Sequence, residues 1–291
     1  MITPEFKTQV RTEILNAREN YGGSDADYSK SLGLSASVYS RLKKGQTDKL
    51  ISDTQWLTIA RLLNVSAKQD NWKIAKTLVY DQIDDSIHFC QEYSRSVILV
   101  DDCGIGKTFC ARHIIKSLKN AFYLDCSQCK TKQIFIRTLA KTVGVDPTGR
   151  YVDVKANLKY FLNLIERPFI CLDEAGDLEY NAFLELKELW NATTGHCGWY
   201  MMGADGLRAK IKRGIQNEKV GYREIFSRFS DEFITVIPSG TAERKQFYLQ
   251  LLTDVATVNC DNKELIRKMV AKSISKEASL RFLETLIKMQ A

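Results

Sequence analysis

Apolar residues recur along this chain with two different periods, and the change between them divides it. Phe6, Val10, Ile14, Ala17 and Tyr21 fall three or four apart behind Thr3 and Pro4. That spacing predicts an amphipathic helix with a threonine cap and a proline in its first turn, ended by Gly22-Gly23. Ser24 caps a short helix through Ser31, Leu32-Gly33-Leu34 makes a tight turn, and Ser35 caps a third helix over 36–43 that Gly45 stops. Ser52-x-x-Gln55 is a capping box for a fourth helix carrying Trp56, Ile59, Ala60, Leu62 and Leu63. The polar stretch 66–76 reads as a boundary, and a further helix runs from about Thr77 to Tyr93.

From Val97 onward the apolar positions gather into short unbroken runs: Val97–Val100, Ala121–Asp125, Phe169–Asp173, Gly198–Asp205 and Glu232–Ile237. Segments of helical period separate several of them, including Ile134 to Val143 before Gly144 and Phe183 to Trp190. Alternating buried strands and helices predict a parallel sheet covered on both faces. Residues 241–291 read as all helical. The expected fold is therefore α/β, with a small all-α domain over 1–70, a nucleotide-binding domain over 77–240 and a helical segment over 241–291.

The chemistry concentrates where the first apolar run ends. Val97-Ile-Leu-Val-Asp-Asp-Cys-Gly-Ile-Gly-Lys-Thr108 is a strand running into a glycine loop, and Phe109, Cys110, Ala111, Ile114, Ile115 and Leu118 continue it as a helix. This is the phosphate-binding order of a P-loop. Backbone N–H groups from Asp102, Cys103, Gly104, Ile105, Gly106, Lys107, Thr108 and Phe109 would face the phosphates of ATP. Lys107 would neutralise the outer charge, and the Thr108 hydroxyl would ligate Mg²⁺. Asp101 stands where the motif has its first glycine, a departure that bears on tight binding and fast turnover. The run Phe169-Ile-Cys-Leu-Asp173-Glu174 ends beside that loop in two carboxylates. There Asp173 would hold Mg²⁺ through water, and Glu174 would polarise the water that attacks the γ-phosphate.

Composition narrows the picture further. The chain has 291 residues, 44% apolar and 26% charged, which suits about two soluble domains. No apolar run approaches the roughly 20 residues that cross a bilayer, and the first residues lack a secretory pattern, so a cytoplasmic protein is expected. The net charge of +7 permits a polyanionic partner without requiring one. Of eight cysteines only Cys126-Ser-Gln-Cys129 has metal-like spacing, and no second pair completes four ligands. Free thiols in a reducing compartment are expected.

Two resemblances follow from these motifs. Ser31-Leu-Gly-Leu-Ser-Ala-Ser-Val-Tyr-Ser-Arg-Leu-Lys-Lys-Gly45 resembles the helix-turn-helix of the Cro/repressor-like family. That resemblance implies DNA contact by Ser35, Ser37, Tyr39, Ser40, Arg41, Lys43 and Lys44, with Val38 and Leu42 turned inward. The alternative is a helical module that docks a protein partner. Residues 77–291 resemble the AAA+ ATPases, which implies ATP hydrolysis, probing of a neighbour's γ-phosphate by Arg228, and a helical lid over 241–291. In Ala278-Ser-Leu-Arg281, Arg281 matches the arginine that closes over the nucleotide. The family's polar sensor position falls at Ala204 or Asp205.

A repressor-like head joined to a compact ATPase is most similar to the transposition-targeting ATPases, the phage Mu B family. Membership would imply a bacterial or phage-encoded protein that self-assembles with ATP into filaments on double-stranded DNA. It would recruit and stimulate a transposase, and its slow ATPase would be stimulated by DNA or that partner. Lys130 and Lys132 are then the first candidates for phosphate contacts along the duplex, followed by Arg150 and by Lys210, Lys212 and Arg213. The last three belong to a stretch, Leu207 to Arg228, with seven basic residues against two acidic ones. A nucleotide-switched transcriptional regulator and a helicase-loader-type ATPase are the alternatives.

Overall fold

A computed structural model of the chain describes residues 2–63, 65, 72–276 and 279–290. Four helices come first: α1 (Pro4–Glu19), α2 (Asp25–Ser31), α3 (Ala36–Lys43) and α4 (Asp53–Leu62). Each starts where a hydroxyl accepts an otherwise unpaired first-turn N–H, from Thr3, Ser24, Ser35 and Ser52 in turn. Asp27 and Gln55 return the bond to complete capping boxes. Val10, Ile14, Leu42 and Trp56 form the centre of a core shared by the four helices. Tyr39 corrects the expectation that it faces DNA: it lies in this core against Tyr28, ring centroids 5.7 Å apart, because the inner face of so short a helix needs a large side chain. Most of the expected polar boundary, 66–71, lies outside the described residues.

Helix α5 (Leu78–Tyr93), capped by Thr77, leads into a five-stranded sheet, all of whose pairings are parallel. The strands are β1 (Ser96–Val100), β2 (Ala121–Asp125), β3 (Phe169–Asp173), β4 (Gly198–Gly203) and β5 (Phe233–Ile234), in the spatial order β2-β3-β4-β1-β5. Successive side chains on a strand face opposite ways, and the core divides accordingly. Ile98, Val100, Ile170, Leu172, Trp199 and Met201 meet α7 (Lys132–Val143), α8 (Tyr151–Leu164), α9 (Tyr180–Ala192), α10 (Asp205–Gln216) and α11 (Tyr222–Arg228). Val97, Leu99, Phe169, Cys171, Tyr200 and Met202 meet α5, α6 (Lys107–Lys116) and the first half of α12 (Thr241–Asn259). With α13 (Lys263–Ser275) and α14 (Leu280–Lys288), the second half of α12 builds a separate small core around Leu252, Val255, Met269 and Leu283.

Two elements differ from the sequence expectation. Helix α8 occupies a stretch whose periodicity predicts nothing clear, because Val152, Tyr160 and Leu164 break its polar face with exposed apolar side chains. The expected strand over Glu232–Ile237 shrinks to the two residues of β5. Beyond Ile234 the backbone leaves the ladder, since the N–H groups of Val236 and Ile237 turn to the carboxylate of Asp101.

The four-helix head is fastened to the sheet at the β2 edge. Asn120, just before β2, donates its N–H to Asn20 O at 2.9 Å, and the Asn20 side chain donates to Lys116 O at the end of α6. Tyr21 donates to Gly144 O at 3.2 Å, and Lys116 pairs with Glu13 at 3.7 Å.

Candidate nucleotide-binding site

The loop after β1 is built to receive an anion. Gly104 and Gly106 sit at φ +75° and +97°, the left-handed region that side-chain-bearing residues avoid. Gly106 begins α6 with no side-chain cap, so the first-turn N–H groups of that helix are left to an external acceptor. Lys107 is buried and folds back on the loop, donating to the carbonyl oxygens of Asp101 at 2.8 Å and Asp102 at 2.6 Å. Burial pulls its ammonium below the ordinary lysine value, while Cys103, Asp101, Asp173 and Glu174 oppose the shift. Two neutral carbonyls are weaker partners than phosphate oxygens, so an arriving polyphosphate would be the better acceptor. Ile105 packs into the core and reaches the site through its backbone only, whereas Cys103 and Phe109 are exposed.

Across from Lys107 lies an oxygen-rich corner. Asp173 ends β3 and is 2% exposed. Its Oδ2 accepts from Thr108 Oγ1 at 2.6 Å and from the Tyr123 hydroxyl at 2.5 Å, and its Oδ1 accepts the Glu174 N–H at 2.9 Å. A hydroxyl and a carboxylate beside a phosphate cradle suit Mg²⁺, which takes few protein oxygens and draws the rest from phosphate and water. Thr108 and Asp173 would hold such an ion. Glu174 follows at φ +49° with an exposed side chain. Although the residue is exposed, partial shielding of its carboxyl from water and then the charge of Asp173 raise its pKa, the environment of a group that can accept a proton.

Several contacts that the sequence pattern does not reveal tie this loop to distant parts of the chain. Asp101 is buried, and its carboxylate accepts three backbone N–H groups: Asp102 at 2.9 Å, Val236 at 2.6 Å and Ile237 at 3.0 Å. Its backbone is not left-handed, so a side chain is tolerated where the motif has glycine. Asp102 accepts from Arg244 and Tyr248 of α12. Gly104 O accepts the N–H of Leu280 at 3.0 Å, and a Cβ on Gly104 would collide with Ser279. Three places in the loop thus hold three parts of the C-terminal third: the tail of β5, α12 and the start of α14. No local signal marks these contacts, because each partner lies more than 130 residues away.

Other expected residues stand apart. Arg281 is exposed on the first turn of α14, the helix whose start touches Gly104. Arg228 lies over the Trp190 ring at 5.3 Å, and Trp190 Nε1 donates to Ser96 Oγ at 2.8 Å. Ser96 begins β1 and the phosphate loop follows its end, so Trp190, on which Arg228 rests, is bonded at the opposite end of β1 from the loop. Of the two sensor positions, Ala204 precedes α10 and Asp205 pairs with Arg208 at 3.5 Å.

The basic candidates divide in the same way. On the head, Ser37, Arg41, Lys43 and Lys44 are exposed, with Arg41 bonded to Gln46 and Lys43 to Asp25, each at 2.9 Å. Lys130 pairs with Asp177 at 2.8 Å and Lys132 with Glu185 at 3.3 Å, while Arg150 pairs with Asp153 at 2.8 Å. Lys210 is not a free surface charge: it donates to Gly176 O at 2.8 Å and to Leu178 O, and burial lowers its pKa.

Residues 87–211 match the family model described as an AAA domain. No curated protein matches the chain. Among solved structures, the chain is similar to NtrX from Brucella abortus in complex with ATP at 13% identity and a TM-score of 0.45. That alignment covers 86% of this chain and 58% of the NtrX chain, so this chain spans less than two thirds of that structure's length. The family match covers the phosphate loop, the acidic end of β3 and four of the five parallel strands: over residues 87–211 the chain is similar to an AAA domain, and its parallel sheet with the phosphate loop is an α/β P-loop arrangement.

Proposed function

We propose that this chain is an ATP-dependent DNA-binding protein that assembles on duplex DNA, hydrolyses ATP, and selects target DNA for a transposase that it activates. The observation that supports this most directly is the joining of two parts. A head with exposed Ser37, Arg41 and Lys43 on α3, and Lys44 just after it, is fastened through Asn20 and Tyr21 to a domain whose phosphate loop is already formed.

In this mechanism the α6 N-terminus and Lys107 bind the polyphosphate, Lys107 exchanging two carbonyls for phosphate oxygens. Thr108 and Asp173 would hold Mg²⁺, which when bound neutralises charge on the β- and γ-oxygens. Glu174 takes the proton of the attacking water. Arg228 rests on Trp190, which is bonded at the start of β1, and its charge acts on a neighbouring subunit's γ-phosphate. Arg281 would close over the nucleotide from the first turn of α14. The head and the loop lysines Lys130 and Lys132 contact DNA phosphates, which makes binding depend steeply on salt and little on sequence.

The deciding experiment is fluorescence anisotropy of a random-sequence duplex, titrated with protein in ATP, ADP or no nucleotide. Tight cooperative binding only with ATP, lost in Lys107→Ala, is the expected result. Weak binding that ignores nucleotide would sink the filament reading. A strong preference for one duplex sequence would favour a nucleotide-switched regulator, and preference for single strands a helicase-loader-type ATPase.

A further inference from the structure

We infer that Tyr123 is a positioning residue: it sets the plane of the Asp173 carboxylate for a magnesium ion, and Arg112 and Asp125 hold Tyr123 in turn. The inference rests on the nucleotide-binding reading above. Tyr123 lies on the edge strand β2, in register with Cys171, two residues before Asp173 on β3. Its long side chain spans that offset and places the hydroxyl 2.5 Å from Asp173 Oδ2. The Arg112 guanidinium covers the ring at 4.6 Å and reaches the Asp125 carboxylate at 3.9 Å. Asp125 is itself held by Ser127, whose N–H and hydroxyl donate to it at 3.0 and 2.6 Å.

A carboxylate oxygen offers about two acceptor directions. Thr108 and Tyr123 fill both on Oδ2, and the Glu174 N–H takes one on Oδ1. One direction on Oδ1 remains for a metal-bound water. Of the two hydroxyls, Thr108 would also turn an oxygen lone pair to the ion while its hydrogen stays on Asp173. Tyr123 has no such second task. It holds Asp173 without ligating the ion, and it keeps the second acceptor direction of Oδ2 occupied beside Thr108. Mg²⁺ demands near-ideal octahedral geometry, whereas Ca²⁺ tolerates irregular oxygen positions. Loss of the phenol hydroxyl should therefore cost Mg²⁺ more than Ca²⁺.

The test is equilibrium binding of a fluorescent ATP analogue to full-length Tyr123→Phe, first with a chelator and then against MgCl₂ or CaCl₂. The ring, and with it the Arg112 contact, is retained in this variant. Expected are an unchanged metal-free affinity, a magnesium half-saturation raised about fivefold, the effect of one hydrogen bond, and a calcium half-saturation within about twofold of wild type. Equal rises for both metals would show a merely structural role and overturn the inference, as would no rise for magnesium. Wild type that fails to bind the analogue would instead sink the nucleotide reading, before any variant is compared. Should Tyr123→Phe not fold, Arg112→Gln serves, with a rise of about twofold expected for magnesium alone; an unmoved magnesium requirement there overturns the inference.

Discussion

The two halves of the nucleotide site are built differently. Lys107, Thr108, Asp173 and Tyr123 are tied to one another or to the loop by short hydrogen bonds within one chain. Glu174 and Arg281 are exposed, and Arg228 stacks on Trp190, which is bonded at the start of β1. The first half needs only the fold to be ready for phosphate and metal. On the proposed function the second half would need something more, a closing movement for Arg281 and a neighbour for Arg228. On that reading, such a division would let the protein load nucleotide at once and delay its use until it is assembled.

Substitutions should separate the halves. The largest effect belongs to Arg228→Ala, which should lower turnover about 10³-fold in the assembled state and leave nucleotide affinity and the dilute monomer's basal rate unchanged. Steady-state ATPase measured against protein concentration checks this, and equal rates at every concentration would join Arg228 to the structural side. Glu174→Gln should reduce hydrolysis by about 10² or more while keeping ATP binding, as single-turnover and filter-binding assays can report; an active variant removes Glu174 from the base role. Lys107→Ala lies on the other half and should weaken ATP binding by about 30-fold or more, measured by titration calorimetry.

Smaller effects sharpen the same contrast. Asp101→Gly restores the motif's glycine, yet it strands the N–H groups of Val236 and Ile237. It should cost about 2 kcal/mol of stability in urea unfolding; a variant as stable as wild type would show that the tie contributes little. Arg41→Ala with Lys44→Ala tests the head alone and should reduce the salt slope of duplex binding by roughly 2 without touching ATP affinity.

How much of this was legible beforehand depended on the distance between partners. Thr3, Ser24, Ser35 and Ser52 mark their helices because a cap and the N–H it satisfies are neighbours in sequence. Lys107 and Thr108 are equally local, since the loop and helix that give them meaning adjoin them. Helix α8 was not legible: Arg150 gives it no side-chain cap, and its exposed Val152, Tyr160 and Leu164 blur the apolar stripe. Tyr39 misled because an aromatic residue on a polar-looking helix can face either way until its neighbours are known. The work of Asp101, Asp102 and Tyr123 was hidden altogether, because it exists only once strands and C-terminal helices come together.

The bond between Asp101 and the tail of β5 has a mechanical consequence. Its amide partners at 236 and 237 lie eight and nine residues after Arg228, with only the short β5 between them. Asp101 also presents one of the two carbonyls that Lys107 grips. Were a neighbour to engage Arg228 as proposed, its pull would be connected, through a short length of backbone and two hydrogen bonds, to the lysine of the subunit it pulls on. In an array of such subunits, tension at one interface would be felt inside the next nucleotide site along the row.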